Sequence, residues 1–196
     1  MSKSNNTIVY IDTENFKFYI KKIVSVNTKK KVDIENIDFK SLFSTALEKI
    51  TVNEIRFYSA KLRVYQGSVK KSKELIEKQR ALKSKLENQG FKFIISGNVR
   101  GQTITINGKK KTVFKEKGVD VKIAVDMIAD ACDEKVKTIV LCSSDSDLQP
   151  AVTEAKERGA EIIYLGFEAH PNKGLIYTSN RTILLRDSEI LKAFDQ

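Results

Sequence analysis

The chain has 196 residues, 41% hydrophobic and 31% charged, which suits one globular domain with a full core. No apolar run is long enough to span a bilayer, and the opening "MSKSNNTIVYID" lacks the apolar stretch of a signal peptide, so a cytoplasmic protein without a membrane partner is expected. The net charge of +10 favours polyanions, nucleic acid first, and two cysteines without CxxC spacing, Cys132 and Cys142, read as buried thiols, not a zinc site or disulfide.

In chain order, "TIVYI" (7–11) reads as a continuous apolar strand. "SLFSTALEKI" (41–50) carries a helical stripe at Leu42, Phe43, Ala46, Leu47 and Ile50. "EIRFYSA" (54–60) alternates as a strand. "KELIEKQRALKSKLENQG" is a helix with Leu75, Leu82 and Leu86 inward and Gly90 as its stop. "FKFIIS" (91–96) is a third strand. "QTITINGKKKTVF" (102–114) is a hairpin, because Asn107-Gly108 supplies the positive φ angles of a tight turn between two β-rich arms. "VDVKIAVDMIADAC" (119–132) is helical, with Ile123, Met127, Ile128 and Ala131 available to a core. "KTIVLCS" is a strand, 147–157 a helix stopped by Gly159, and "EIIYLG" another strand; "TILLRD" and "SEILKAF" close the chain. Strands alternate with helices, and strands apolar throughout fit a sheet covered on both faces. The expectation is an α/β, three-layer α/β/α sandwich with a mainly parallel sheet, forming a single domain over 1–196 with a basic hairpin insertion at about 98–118.

In such sheets a site lies beyond the carboxyl ends of the strands, where strand order reverses. Asp12 ends one strand and Asp145 follows another, with Asp147 two residues on and Asp120 opening a helix after the hairpin. Asp12 and Asp145 lie side by side if their strands are neighbours. Converging carboxylates repel one another unless a cation neutralises them, and hard oxygen donors without nearby His or Cys favour Mg²⁺ or Mn²⁺. From the residues alone a second reading stands beside this: Asp at a helix N-terminus caps backbone N–H groups.

Three segments in order, "YIDTEN", "KEKGVDVKIAVDM" and "VLCSSDSDLQPAV", with "RGAEIIYLG" after them, resemble the NYN domain, a branch of the PIN-like nucleases. The resemblance runs from about Ile8 to about Asp187. It implies a PIN-like sandwich and a divalent-metal endoribonuclease hydrolysing phosphodiester bonds of single-stranded or structured RNA. Carried over by position, the catalytic and metal-binding acids are Asp12, Asp120, Asp145 and Asp147. Asn15 follows the first acid, and Lys117 and Gly118 precede Asp120. The sequence departs from the pattern where Ser144 replaces a glycine and Leu148 an aromatic residue, which bears on loop geometry while the carboxylates remain. The pattern also carries an acid at Asp126. A helix turns about 100° per residue, so Asp126 points away from the Asp120 face. Asp120, at the helix start, is assigned to the metal. Asp126 is a structural acid supporting the site, bonded to a neighbouring loop or to a serine of the strand-end motif.

The substrate-binding set is Asn15, Ser144, Lys117, Arg100, Lys109, Lys110 and Lys111. Basic stretches 21–31, 61–73 and 98–118 lie in or near predicted loops, and the last runs into Asp120, so the hairpin is expected to guide a phosphate backbone, with Tyr65 and Phe114 stacking on bases. His170, the only histidine, reads as a plain loop residue, and no GxxxxGK[ST] stretch exists, which excludes a P-loop. Two alternatives accompany the nuclease: a non-catalytic RNA-binding adaptor on the same fold, and a Toprim-like DNA phosphotransferase, which wants a Glu where Asp12 stands. A homodimer is a further option.

Overall fold

The computed structural model describes residues 6–28, 34, 37–106 and 109–194; the side chains of 103, 104, 106 and 109–111 lie outside the described residues, as does the Asn107-Gly108 turn. Among these residues seven strands form one sheet: β1 (Thr7–Asp12), β2 (Glu54–Lys61), β3 (Lys92–Ile106), β4 (Lys109–Lys117), β5 (Thr138–Cys142), β6 (Glu161–Phe167) and β7 (Arg181–Leu185). Their spatial order is β4-β3-β2-β1-β5-β6-β7, and every neighbouring pair is parallel except β3 with β4. β1 is buried along its whole length because it is paired on both edges and covered on both faces.

Among the described residues seven α-helices cover the sheet: α1 (Thr13–Thr28), α2 (Phe39–Ala46), α3 (Val69–Asn88), α4 (Val119–Cys132), α5 (Gln149–Glu157), α6 (Lys173–Thr178) and α7 (Asp187–Phe194). The period-2 alternation of the strands sorts their side chains between two cores. Val9 and Ile11 of β1, with Val140 and Cys142 of β5, face α1, α2, α3 and α7. Ile8 and Tyr10, with Ile139 and Leu141, face α4, α5 and α6. This is the expected three-layer sandwich. Phe16 anchors the first core, its ring 5.7 Å from Phe43 and 5.6 Å from Phe167, one turn after Asp12 leaves β1.

Several expectations change. Lys21 and Lys22, read as loop, lie on α1, whose buried Phe16, Ile20, Ile23 and Val24 follow an i, i+4, i+7, i+8 stripe. α3 starts at Val69, four residues before the predicted start at Lys73, so Lys70 and Lys71 are helical. α2 stops at Ala46, before the predicted Ile50. The strand at 91–96 and the first hairpin arm are one continuous strand, so the hairpin extends the sheet and β4 is its edge. Leu75 and Ile128 are half-buried. Cys132 is exposed at the end of α4, and only Cys142 is a buried thiol; both are free.

Candidate active site at the sheet switch point

Chain order reverses between β1 and β5. From β1 the chain winds outward through β2 and β3 to β4, and α4 then carries it back to β5. β1 and β5 are paired neighbours with Ile11 opposite Cys142, so Asp12 and Ser143 leave the sheet at the same level. The crevice outside these carboxyl ends is where α/β sheets hold ligands.

Asp12 is 8% exposed and caps α1, accepting the Asn15 N–H at 3.0 Å. Burial pushes its carboxyl up to about 7; the Asn15 bond opposes this and the Asp120 charge adds to it. Asp120 stands in the first turn of α4, within hydrogen-bonding reach of Asp12, and its carboxyl is raised by burial and by the charge of Asp145. The helix begins there because Gly118 takes a left-handed conformation, φ +88°, at the end of β4. Gly97 in β3 also has positive φ, and a Cβ on it would meet the Lys117 carbonyl oxygen at 2.2 Å. This close backbone crossing sets where α4 starts, and so where Asp120 points.

Asp145 caps the 3-10 turn Ser146–Leu148, accepting the Asp147 N–H at 2.9 Å, and Asp147 is exposed. The capping reading therefore holds for Asp145. Asn15 ties the two strand ends together, its Oδ1 accepting the Ser144 N–H at 3.1 Å. The loop is held from its other side by Asn172, which donates to the Ser144 carbonyl at 2.9 Å and to Ser146 Oγ at 3.1 Å. Asn172 also caps α6. Sequence reasoning did not single it out; the signal is an Asn in a turn after a strand, three residues before Leu175.

A further carboxylate, Glu116 of β4, was also missed. Burial, then the charges of Asp12, Glu14 and Asp120, push it up to about 8, which places it in the electrostatic field of the cluster. In the sequence it sits inside a lysine-rich stretch; only the pairing of β4 on β3 brings it here. Among the described residues no three of the His, Cys, Asp or Glu side chains stand close enough together to hold a metal ion. The acidic groups of the crevice are all carboxylates, oxygen donors of the type that suits a hard divalent cation. The nearby thiol of Cys142 is pushed up by burial and stays protonated.

Asp126 lies off this cluster. It accepts the Tyr58 hydroxyl at 3.0 Å and pairs with Lys122 at 2.6 Å, and neither a loop nor a strand-end serine is among these partners. Arg100 and Lys117 are exposed on β3 and β4. The side chains of Lys109, Lys110 and Lys111 lie outside the described residues. Tyr65 and Phe114 pack edge to face, ring centroids 6.1 Å apart. His170 is exposed, 5.7 Å from the ring of Tyr19.

The model of the NYN domain matches residues 6–186. Among solved structures, the chain is similar to the crystal structure of a protein of unknown function from Vibrio parahaemolyticus. That match has a TM-score of 0.60 at 16% identity and covers 94% of this chain and 95% of that one, a likeness of fold. Among curated proteins no match was found.

Proposed function

This chain belongs to the NYN domain family, with its PIN-like nuclease fold, and from that premise we propose that it is a divalent-metal-dependent endoribonuclease. The observation that supports the reading is that Asp12, Asp120 and Asp145 come from three separate parts of the sequence to one sheet edge, where Asp12 feels the charge of Asp120 and Asp120 that of Asp145. Asp12, Asp120, Asp145 and Asp147 would hold Mg²⁺ or Mn²⁺. When bound, the cation supplies a Lewis acid for the phosphoryl oxygens and an activated water.

The chain's own groups do the rest. Asn15 and Asn172 hold the 144–146 loop, and with it Asp145, beyond the carboxyl end of β5. Asn15, Ser144, Arg100, Lys117 and the hairpin lysines Lys109, Lys110 and Lys111 form the substrate-binding set, with the lysines meeting phosphates as point charges and Arg100 through its guanidinium fork. Glu116, whose carboxyl is pushed up by burial and then by the charges of Asp12, Glu14 and Asp120, adds a further acidic group at the edge of the crevice. Membership of the NYN family supports this reading over a Toprim-like phosphotransferase. Among the described residues no helix is long and apolar enough to cross a membrane.

The test is incubation of single-stranded and structured RNA, and matching DNA, with Mn²⁺ and then with EDTA. Cleavage is expected with Mn²⁺ alone, and Asp12→Asn and Asp145→Asn should each abolish it while keeping the native circular dichroism spectrum. Wild-type cleavage by either variant sinks the assignment. Salt-sensitive binding without cleavage by the unmutated chain selects the adaptor instead.

A further inference from the structure

A cleft of about 340 Å³ opens beside the carboxylate cluster, between α1 and α3. Its size falls within the range of small-ligand sites. α1 presents Lys17 and Lys21 to it, and α3 presents Lys78 and Gln79. The floor is apolar, made by Ala60 of β2, Val99 of β3 and Phe114 of β4. Among the described residues its carboxylates are Glu14 and Glu116. Glu14 follows Asp12 by two residues, so this is the end that joins the cluster.

At Phe114 the cleft carries a small aromatic platform. The Lys71 ammonium lies over the Phe114 ring, 5.4 Å from its centroid, and Tyr65 meets that ring edge-on. Tyr65 can sit there because Gly101, opposite Phe114 in the hairpin, has no side chain; a Cβ on it would lie 2.8 Å from the tyrosine ring.

We propose that this cleft is a single-strand nucleic-acid subsite, which seats the nucleotides adjoining the one held at the carboxylates. Its direction toward the cluster rests on the nuclease reading; its binding does not. A nucleotide strand is amphipathic in the way the cleft is, with anionic phosphates for the lysine rims and flat bases for the apolar floor and the aromatic platform. A duplex keeps its base faces stacked inside and offers that floor nothing to cover it.

The experiment measures binding alone, with the full chain carrying Asp145→Asn, in EDTA, and a short fluorescein-labelled RNA read by anisotropy against a duplex of the same sequence. The single strand should bind more tightly than the duplex. Lys78→Glu, at an exposed position on α3, should weaken single-strand binding roughly tenfold and flatten its log–log salt slope by about 1 or more. Phe114→Leu should weaken it with the slope unchanged, because stacking is lost and charge is not. Lys40→Glu, on α2 near the amino-terminal edge of the sheet, should bind like the parent. Duplex binding as tight as single-strand binding overturns the proposal, as does parental affinity in both Lys78→Glu and Phe114→Leu. Mn²⁺-dependent cleavage by the unmutated chain is scored separately. Cleavage without a cleft effect removes the subsite and leaves the nuclease, and a cleft effect without cleavage does the reverse.

Discussion

Asp12 is at once the end of a strand, the cap of a helix and a buried acid, and these roles pull its proton affinity in opposite directions. Burial dominates and pushes the native carboxyl up to about 7 from an ordinary 3.8. The folded state therefore holds a proton that the unfolded state releases between those two values. The stability this contributes is complete below the ordinary value and is lost as pH rises through about 7. Metal-free protein in EDTA should melt at a higher temperature near pH 5 than near pH 8, and Asp12→Asn should narrow that difference. A difference unchanged in the variant would show that Asp12 is not the group responsible. Asp120 and Asp126 divide in a related way, being six residues apart on one helix with different neighbours. Asp120→Asn should remove Mn²⁺-dependent cleavage with little change in melting temperature. Asp126→Asn loses the ionic acceptor of Tyr58 and Lys122 and should cost about 1–2 kcal/mol of stability by chemical denaturation. A folded, cleavage-dead Asp126→Asn beside an active Asp120→Asn would invert the assignment.

Among the elements, the strand–helix alternation was legible because strands and helices carry different apolar periods. α1 had the same signal in its Phe16, Ile20, Ile23 and Val24 stripe, but its lysines drew the region toward a loop reading. The hairpin was legible from Asn107-Gly108, and its role was not. Read locally, it is a basic insertion; paired into the sheet, it is the edge that delivers Glu116 and then α4 to the crevice. Gly97 and Gly118 control that delivery, since both take positive φ and the backbone crosses closely between them. Gly97→Ala should cost more than about 1 kcal/mol, because a Cβ must displace the Lys117 carbonyl from a conformation that L residues avoid. Cleavage should fall further than stability accounts for, because Asp120 moves with the helix start. A variant of unchanged melting temperature and activity would show that the crossing is slack.

At the scale of the whole molecule, one polar network joins the sheet to α4 beneath the second core. The Tyr10 hydroxyl of β1 donates to Asp130 of α4 at 2.8 Å, and Arg56 of β2 pairs with the same carboxylate and with Glu54. The Arg56 guanidinium also lies over the Tyr10 ring, 5.3 Å from its centroid. Asp130 is 8% exposed, and Asp130→Ala would leave the buried Tyr10 hydroxyl without its acceptor while Arg56 keeps Glu54, so it should cost about 1–3 kcal/mol in equilibrium unfolding. A loss no larger than that of an exposed acid such as Asp133 would show that the network adds nothing.

The sequence by itself determined the layer count, the parallel sheet and the strand-end positions of Asp12 and Asp145, because hydrophobic period and chain order are local and strongly patterned. Strand order is not local. Tertiary pairing alone made β1 and β5 neighbours, and so turned two distant aspartates into one crevice. The same holds for Asn172 clamping the 144–146 loop across 28 residues, and for Glu116 brought in from a lysine-rich edge strand. A carboxylate's partners depend on which elements pack together, and that is settled by burying two apolar faces at once, a property of the assembled sheet.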